Sequence, residues 1–404
     1  MTLSKRGTFW TAALVLALCL WASGAPSVLY PVYAAEWNLT PVVTTSVFGA
    51  YPLALLLVLF FFGSISDTVG RRRAILIGVA LIAASAAVFA LAPNVGFLYL
   101  GRVLQGVGTG LAIGAASASL VENNFTGNPR FASSLTTVAT STGLTLALVI
   151  SGALAQLAPL PLVLSFGVLL VLAVITFTLT LFTPRDATAG ARWTFTAPRL
   201  AAGLLRPFVL ATISVSIAYS VGAIFLSLGS SMARELTGTS HLLVIGLLLG
   251  SSSLSIGITA LFLSRVGAHV AIAVGAGLSI LGLGFMVAAS ATGSIGLLLA
   301  WCLVGGVGYS FAFTGGLSLV SRVAPVHHRG ATLSLLYLYS YLAQAITAVG
   351  AGALATNVGL ETAVEIAAPV LGALSITAIA LAVVDRRGAR PLAAAVETAA
   401  APQA

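Results

Sequence analysis

Few groups in this chain can do chemistry, and most of those are arginines. One short stretch, Gly63-Ser64-Ile65-Ser66-Asp67-Thr68-Val69-Gly70-Arg71-Arg72-Arg73, sets a single acid just ahead of three consecutive cations. Its chemistry is ion pairing, with Asp67 reaching Arg71 across a tight turn that Gly70 permits. A second stretch, Gly101-Arg102-Val103-Leu104-Gln105-Gly106-Val107-Gly108, places one arginine inside an apolar run. Gln105 lies three residues on and shares its helical face. A guanidinium stays charged, so Arg102 carries no proton itself. It can set the charge state of a neighbouring acid or hold an anionic group. Cys19 and Cys302 sit in apolar runs of opposite halves, and His241, His269, His327 and His328 fall at run ends. No metal spacing, disulfide framework or nucleophile–base cluster is visible. The sequence therefore predicts no enzyme, no cofactor and no metal.

The elements that position these groups are apolar runs. The chain has 404 residues, of which 59% are hydrophobic and only 7% charged, and its mean hydropathy is +1.10. Soluble domains carry roughly 25% charged residues, so lipid must solvate much of this surface. Only helices and closed barrels span a bilayer, and runs that are continuous rather than alternating exclude the barrel. Twelve spans are expected, at about 9–33, 42–64, 74–92, 96–121, 131–157, 161–182, 207–232, 240–264, 270–291, 295–321, 331–356 and 362–384. The N-terminal run is too long for a signal peptide. With both termini cytoplasmic, the inner segments hold sixteen of the 18 Lys and Arg, leaving only Arg234 outside and Arg102 within a span. That asymmetry is the positive-inside pattern. It also accounts for the net charge of +9 without a nucleic-acid partner.

The two halves resemble each other at an offset near 200 residues. Gly106-Val107-Gly108 matches Gly306-Val307-Gly308, and Ser151-Gly152-Ala153-Leu154-Ala155 matches Ala351-Gly352-Ala353-Leu354-Ala355. Pro129-Arg130-Phe131-Ala132-Ser133 matches His328-Arg329-Gly330-Ala331-Thr332, and Gly78 has its counterpart in Gly275. A six-span repeat places a binding site between halves, near the midplane.

The hairpin's G-x-x-x-D-x-x-G-R-R pattern, between spans 2 and 3, resembles a signature of the major facilitator superfamily of secondary transporters. Arg102 to Gly108 resembles a second, R-x-x-Q-G-x-G. The resemblance covers nearly the whole chain. It implies an all-α membrane protein of twelve helices in two pseudo-symmetric bundles, residues 1–182 and 207–384. Residues 183–206 become a central cytoplasmic loop and 385–404 a disordered cytoplasmic tail. It also implies a conformational latch of Gly63, Asp67, Gly70, Arg71, Arg72 and, at the end of span 4, Glu122. Thr68 departs from the family's usual arginine. Arg102, Gln105, Gly106 and Gly108 are assigned to transport and coupling, with Gly143 and Gly152 in span 5. There the family's antiporters have a Gly-Pro step, and this chain has Ala147-Leu148.

Polarity within the spans nominates Ser27, Tyr30, Tyr219, Tyr309, Phe313, Tyr337, Tyr341 and Gln344 for the substrate cavity. Such a weakly polar, aromatic site suits small hydrophobic or aromatic compounds. Proton-coupled export of the drug-efflux type is the expectation, with a facilitator or importer of a small neutral metabolite as the alternative. No acid lies in the middle of a span, so coupling would have to use Glu36, Asp67 or Glu122. Arg102 either faces the cavity or snorkels to the outer surface. The expected partners are a small-molecule substrate, protons and the lipid bilayer. The expected setting is a monomer in a prokaryotic plasma (inner) membrane.

Overall fold

The computed structural model describes residues 2–62, 65–127, 129–185, 200, 203–325 and 329–400. Within them lie fourteen α-helices and one short 3-10 turn. In chain order the helices are α1 (Lys5–Gly24), α2 (Tyr30–Trp37), α3 (Pro41–Phe62), α4 (Ile65–Val69), α5 (Arg71–Ala90), α6 (Val95–Glu122), α7 (Pro129–Leu157) and α8 (Pro161–Leu181). They continue with α9 (Leu205–Thr237), α10 (Leu242–Phe262), α11 (Ala268–Thr292), α12 (Ile295–Val323), α13 (Arg329–Val358) and α14 (Leu360–Ala400). All except α2 and α4 are long and apolar enough to cross a membrane, which makes twelve. Helices suit this role because every interior backbone group bonds within its own segment.

The two halves pack by one scheme. In the first, α1 lies on α6 and α7, α3 on α6, and α5 on α6 and α8. In the second, α9 lies on α12 and α13, α10 on α12, and α11 on α12 and α14. The halves meet where α3 packs on α13 and α7 on α10, an exchange of equivalent partners. The glycines paired by the repeat do equivalent work. A Cβ on Gly106 would meet the Tyr51 carbonyl of α3 at 2.5 Å, and one on Gly306 would meet the Ser252 carbonyl of α10 at 2.5 Å. Gly108 lies on Gly78, as Gly308 lies on the α11 segment beside Gly275. Such close approach is how helices associate in lipid, where no hydrophobic force drives them together.

Two expectations need correction. The first span is not one helix over 9–33. α1 ends at Gly24, a turn spans Ala25–Leu29, and α2 begins at Tyr30. Pro26 has no N–H to donate, and Pro31 opens α2, so the pair breaks the run. The tail from 385, expected to be disordered, is helical as far as Ala400 as a continuation of α14. Its alanines are the strongest helix formers. Most of the 183–206 connector lies outside the described residues.

Candidate functional site

The broken first span determines what happens around Arg102. In an unbroken helix the Ser23 carbonyl would accept from the Ser27 N–H. Here that N–H turns to Gly24 O at 3.0 Å. Arg102 Nη1 donates to the Ser23 carbonyl instead, at 3.0 Å. The same nitrogen donates to Gln105 Oε1 at 3.1 Å, while Nε donates to the Tyr30 hydroxyl at 2.9 Å and Nη2 donates to it as well. The rings of Tyr30, Phe48 and Tyr51 lie 5.5, 5.7 and 5.8 Å from the guanidinium carbon, within cation–π range. Arg102 is 0% exposed. It faces inward and does not snorkel.

Gly106 brings this face of α6 tight against α3, and Gly108 brings the opposite side tight against α5. Gly143 does the same for α7 against Ala17 of α1, and Gly152 for α7 against Leu242 and Gly246 of α10. α7 runs unbroken through Ala147-Leu148, where a proline would kink it.

The second half supplies an aromatic wall. Tyr219 of α9 stacks on Phe313 of α12 with centroids 5.9 Å apart, and meets Tyr341 of α13 at 4.8 Å. Tyr309 lies 6.0 Å from Phe313, and Tyr337 lies 6.4 Å from Tyr341. One turn from Tyr341, Gln344 Oε1 is buried without a hydrogen-bond partner. The Ser27 hydroxyl is likewise buried and unpartnered. The nominated residues thus fall in two groups: Tyr30 on Arg102 with Ser27 in the adjoining turn, and the aromatic cluster with Gln344 in the second half.

Sequence reasoning missed Tyr51 and Phe48. The Tyr51 ring, on α3, lies 5.8 Å from the Arg102 guanidinium, and α3 packs on α13, which carries Tyr337 and Tyr341. The i, i+3 spacing of Phe48 and Tyr51 on α3 was a usable signal. Which face of α3 meets α6 was not legible. Thr347, whose hydroxyl donates to that of Ser220 at 2.9 Å, was missed too.

At the arginine-rich end, Gly70 caps α5 with φ +92°, a conformation glycine adopts freely. Arg71 and Glu122 are paired, with Nη2 2.7 Å from Oε1 and Nε 2.9 Å from each carboxylate oxygen. Arg72 donates to the carbonyls of Thr180, at 3.3 Å, and Leu181. Gly63 and the Asp67 side chain lie outside the described residues. A cavity of about 100 Å³ opens beside this cluster, lined by Thr8, Thr11, Arg71, Arg72, Asn123 and Arg185 among others. Drug-sized ligands need roughly 300–1,000 Å³, so we read it as part of the ion-pair apparatus rather than a substrate site.

The Glu122 side chain is 52% exposed, and exposed pairs contribute only about 0–1 kcal/mol. Glu122→Gln should therefore leave the melting temperature of the purified protein nearly unchanged. If the pair differs between two states, transport should change by up to about fivefold. A large loss of stability would show instead that the pair holds the bundle together.

The halves are bonded to each other within the α7–α10 contact, where Ser141 Oγ donates to Ser253 O at 2.5 Å and Ser253 Oγ to Ser141 O at 3.2 Å, and more extensively at the end remote from these arginines. Ser230 Oγ donates to Ser27 O at 2.6 Å, Leu242 N to Gln156 Oε1 at 2.9 Å, and Val42 N to Thr356 Oγ1 at 2.9 Å. By contrast, Arg71–Glu122, Arg72–Thr180 and His269–Asp385 (2.7 Å) each join elements of one half.

Comparison with known proteins agrees with this geometry. Over 95 residues the chain is 39% identical to the lincomycin resistance protein of Streptomyces lincolnensis, a match covering 24% of this chain and 20% of that protein. Over 131 residues it is 30% identical to the uncharacterized MFS-type transporter EfpA of Mycobacterium tuberculosis (strain H37Rv), covering 32% and 24%. The chain thus spans no more than about a quarter of the length of these curated relatives. Among solved structures, the nucleoside transporter NupG aligns with a TM-score of 0.76 at 15% identity, over 93% of this chain and 99% of that one. A peptide transporter POT in complex with sulfate aligns at 0.73 and 16%, over 93% and 92%. These likenesses show a shared fold. The family model of the Major Facilitator Superfamily matches residues 10–228 and 208–402, and with that coverage the chain belongs to this superfamily of transporters rather than to any class of enzyme.

Proposed function

We propose that this protein exports small, largely apolar aromatic compounds by alternating access, the two six-helix halves rocking about the compartment between Arg102 and the tyrosine wall. One observation carries the reading. Six aromatic side chains from both halves (Tyr51, Tyr219, Tyr309, Phe313, Tyr337 and Tyr341) converge there, and polar side chains are few. Sugars and polyanions want many more hydrogen-bonding partners. The name of the Streptomyces relative, a resistance protein, supports export. With both termini cytoplasmic, the end where the halves are most extensively bonded faces outward, which suits a state that collects cargo from the cell interior. Proton entry supplies the drive, through acids at the rim such as Asp67 or Glu122. Asp67→Asn should then impair transport.

The test is substrate-induced proton movement in inverted vesicles, across a panel of aromatic compounds. Collapse of the pH gradient by particular members, absent with Asp67→Asn, is the expected result. A second reading, a facilitator or importer of a small metabolite, is favoured by two features. α7 lacks the Gly-Pro step, and the hydrogen-bond partners of Arg102 include no carboxylate. Uptake by cells without a membrane potential would establish it and remove the export reading.

A further inference from the structure

The compartment contains a charge that nothing around it balances. Arg102 is fully buried at membrane depth, where an isolated cation is costly unless paired. All its partners are neutral: one phenol, one carbonyl, one amide oxygen and three ring faces. Among the described side chains no carboxylate comes within 4.0 Å of it. Glu122 pairs with Arg71 and Asp385 with His269, and Glu36, Glu361 and Glu365 are exposed.

Donors surround the cation. Gln105 Oε1 accepts from Arg102, so its Nε2 must face the other way, and this buried NH2 has no partner. The hydroxyl of Ser27, in the turn between Ser23 and Tyr30, is also buried and unpartnered. A guanidinium, an amide NH2 and a hydroxyl offer donors suited to an acceptor-rich, negatively charged group. The aromatic wall beside it takes the ring that carries such a group.

We propose that the compound carried by this protein is a monoanionic aromatic acid, and that Arg102 is its counter-ion in the membrane. The proposal rests on the export reading and names the substrate class for the same site. It also answers a puzzle in the sequence. An inside-negative potential favours outward movement of a monoanion about fifty-fold per 100 mV, which adds to the proton drive from the rim acids and needs no carboxylate at the midplane.

The test is binding to the purified full chain in lipid nanodiscs. The probes are aromatic scaffolds, from benzene to naphthalene and indole rings, each offered as the carboxylate, the neutral amide and the aminomethyl cation. The tightest ligands should be carboxylates, bound roughly ten- to a hundredfold better than their amides, as suits a charge-assisted bond. Arg102→Lys should keep this preference and Arg102→Gln should erase it. Gln105→Glu guards against misfolding, because it supplies an internal counter-ion. That variant should melt higher than the parent yet lose carboxylate affinity at least tenfold. Equal affinity for acid and amide, a tightest ligand that is neutral or cationic, or no carboxylate bound at all overturns the proposal. Vesicle transport of the same panel separates the two readings. Transport of the amides but not the acids keeps export and removes the anion, whereas transport of no member removes export itself.

Discussion

Tyr30→Phe should destabilise the purified protein by about 2–4 kcal/mol and remove most of its transport, although it deletes a single oxygen. Two N–H groups of Arg102, on Nε and Nη2, share that oxygen as acceptor. The phenylalanine keeps the ring and its cation–π face, so the loss is confined to hydrogen bonding. A buried donor left without an acceptor costs about 1–3 kcal/mol, and more when charged. The guanidinium must then turn toward the Ser23 carbonyl or draw in water, and either movement displaces the cation from the tyrosine wall. Thermal unfolding in detergent would report the first effect and vesicle transport the second. The double variant Tyr30→Phe/Arg102→Met should regain much of the stability but none of the transport, because removing both partners of a buried polar contact is nearly neutral. A single variant that melts with the parent would show that the hydroxyl is not what holds Arg102.

The membrane architecture was legible in the sequence because lipid imposes it directly. A span must be long and apolar, and its flanking cations must fall on one side. The glycine pairings of the repeat were legible too, since Gly106 and Gly306 mark the same helix crossing in each half. The bend in the first span was written in Pro26 and Pro31, but apolar character runs through it and hid it from hydropathy. That bend decides the fate of Arg102, because it frees the Ser23 carbonyl. Sequence distance to the helix end could not choose between snorkelling and burial, whereas one freed acceptor on a neighbouring helix could. Tyr51 stayed hidden for a related reason. Its role depends on α3 crossing α6 on one side and packing on α13 on the other, and no local pattern carries that information. The pairing of Arg71 with Glu122 was legible only through the family resemblance, because the two lie far apart in sequence and meet through the packing of α5 on α6.

Gly143→Val and Gly152→Val, nine residues apart on α7, should have opposite signatures. At Gly143 a Cβ would overlap the backbone of Ala17 in α1, within the first half. Neither helix can yield without opening the bundle, so overpacking should cost about 3 kcal/mol and show as a lower melting temperature and poor yield. At Gly152 a Cβ would lie 2.6 Å from Leu242 O and 3.1 Å from Gly246 Cα, both in α10 of the other half. If the halves rock, parting there relieves the strain while each bundle stays intact. A penalty of about 1–3 kcal/mol on the latched state alone moves its population by roughly five- to a hundredfold. The melting temperature should change little. Disulfide formation between Gln156→Cys and Leu242→Cys, whose parent residues are bonded across the same α7–α10 seam, should slow by a similar factor. Should Gly152→Val instead lower the melting temperature as far as Gly143→Val and leave the cross-linking rate unchanged, this seam would be a fixed part of the core, and the halves would not part along it.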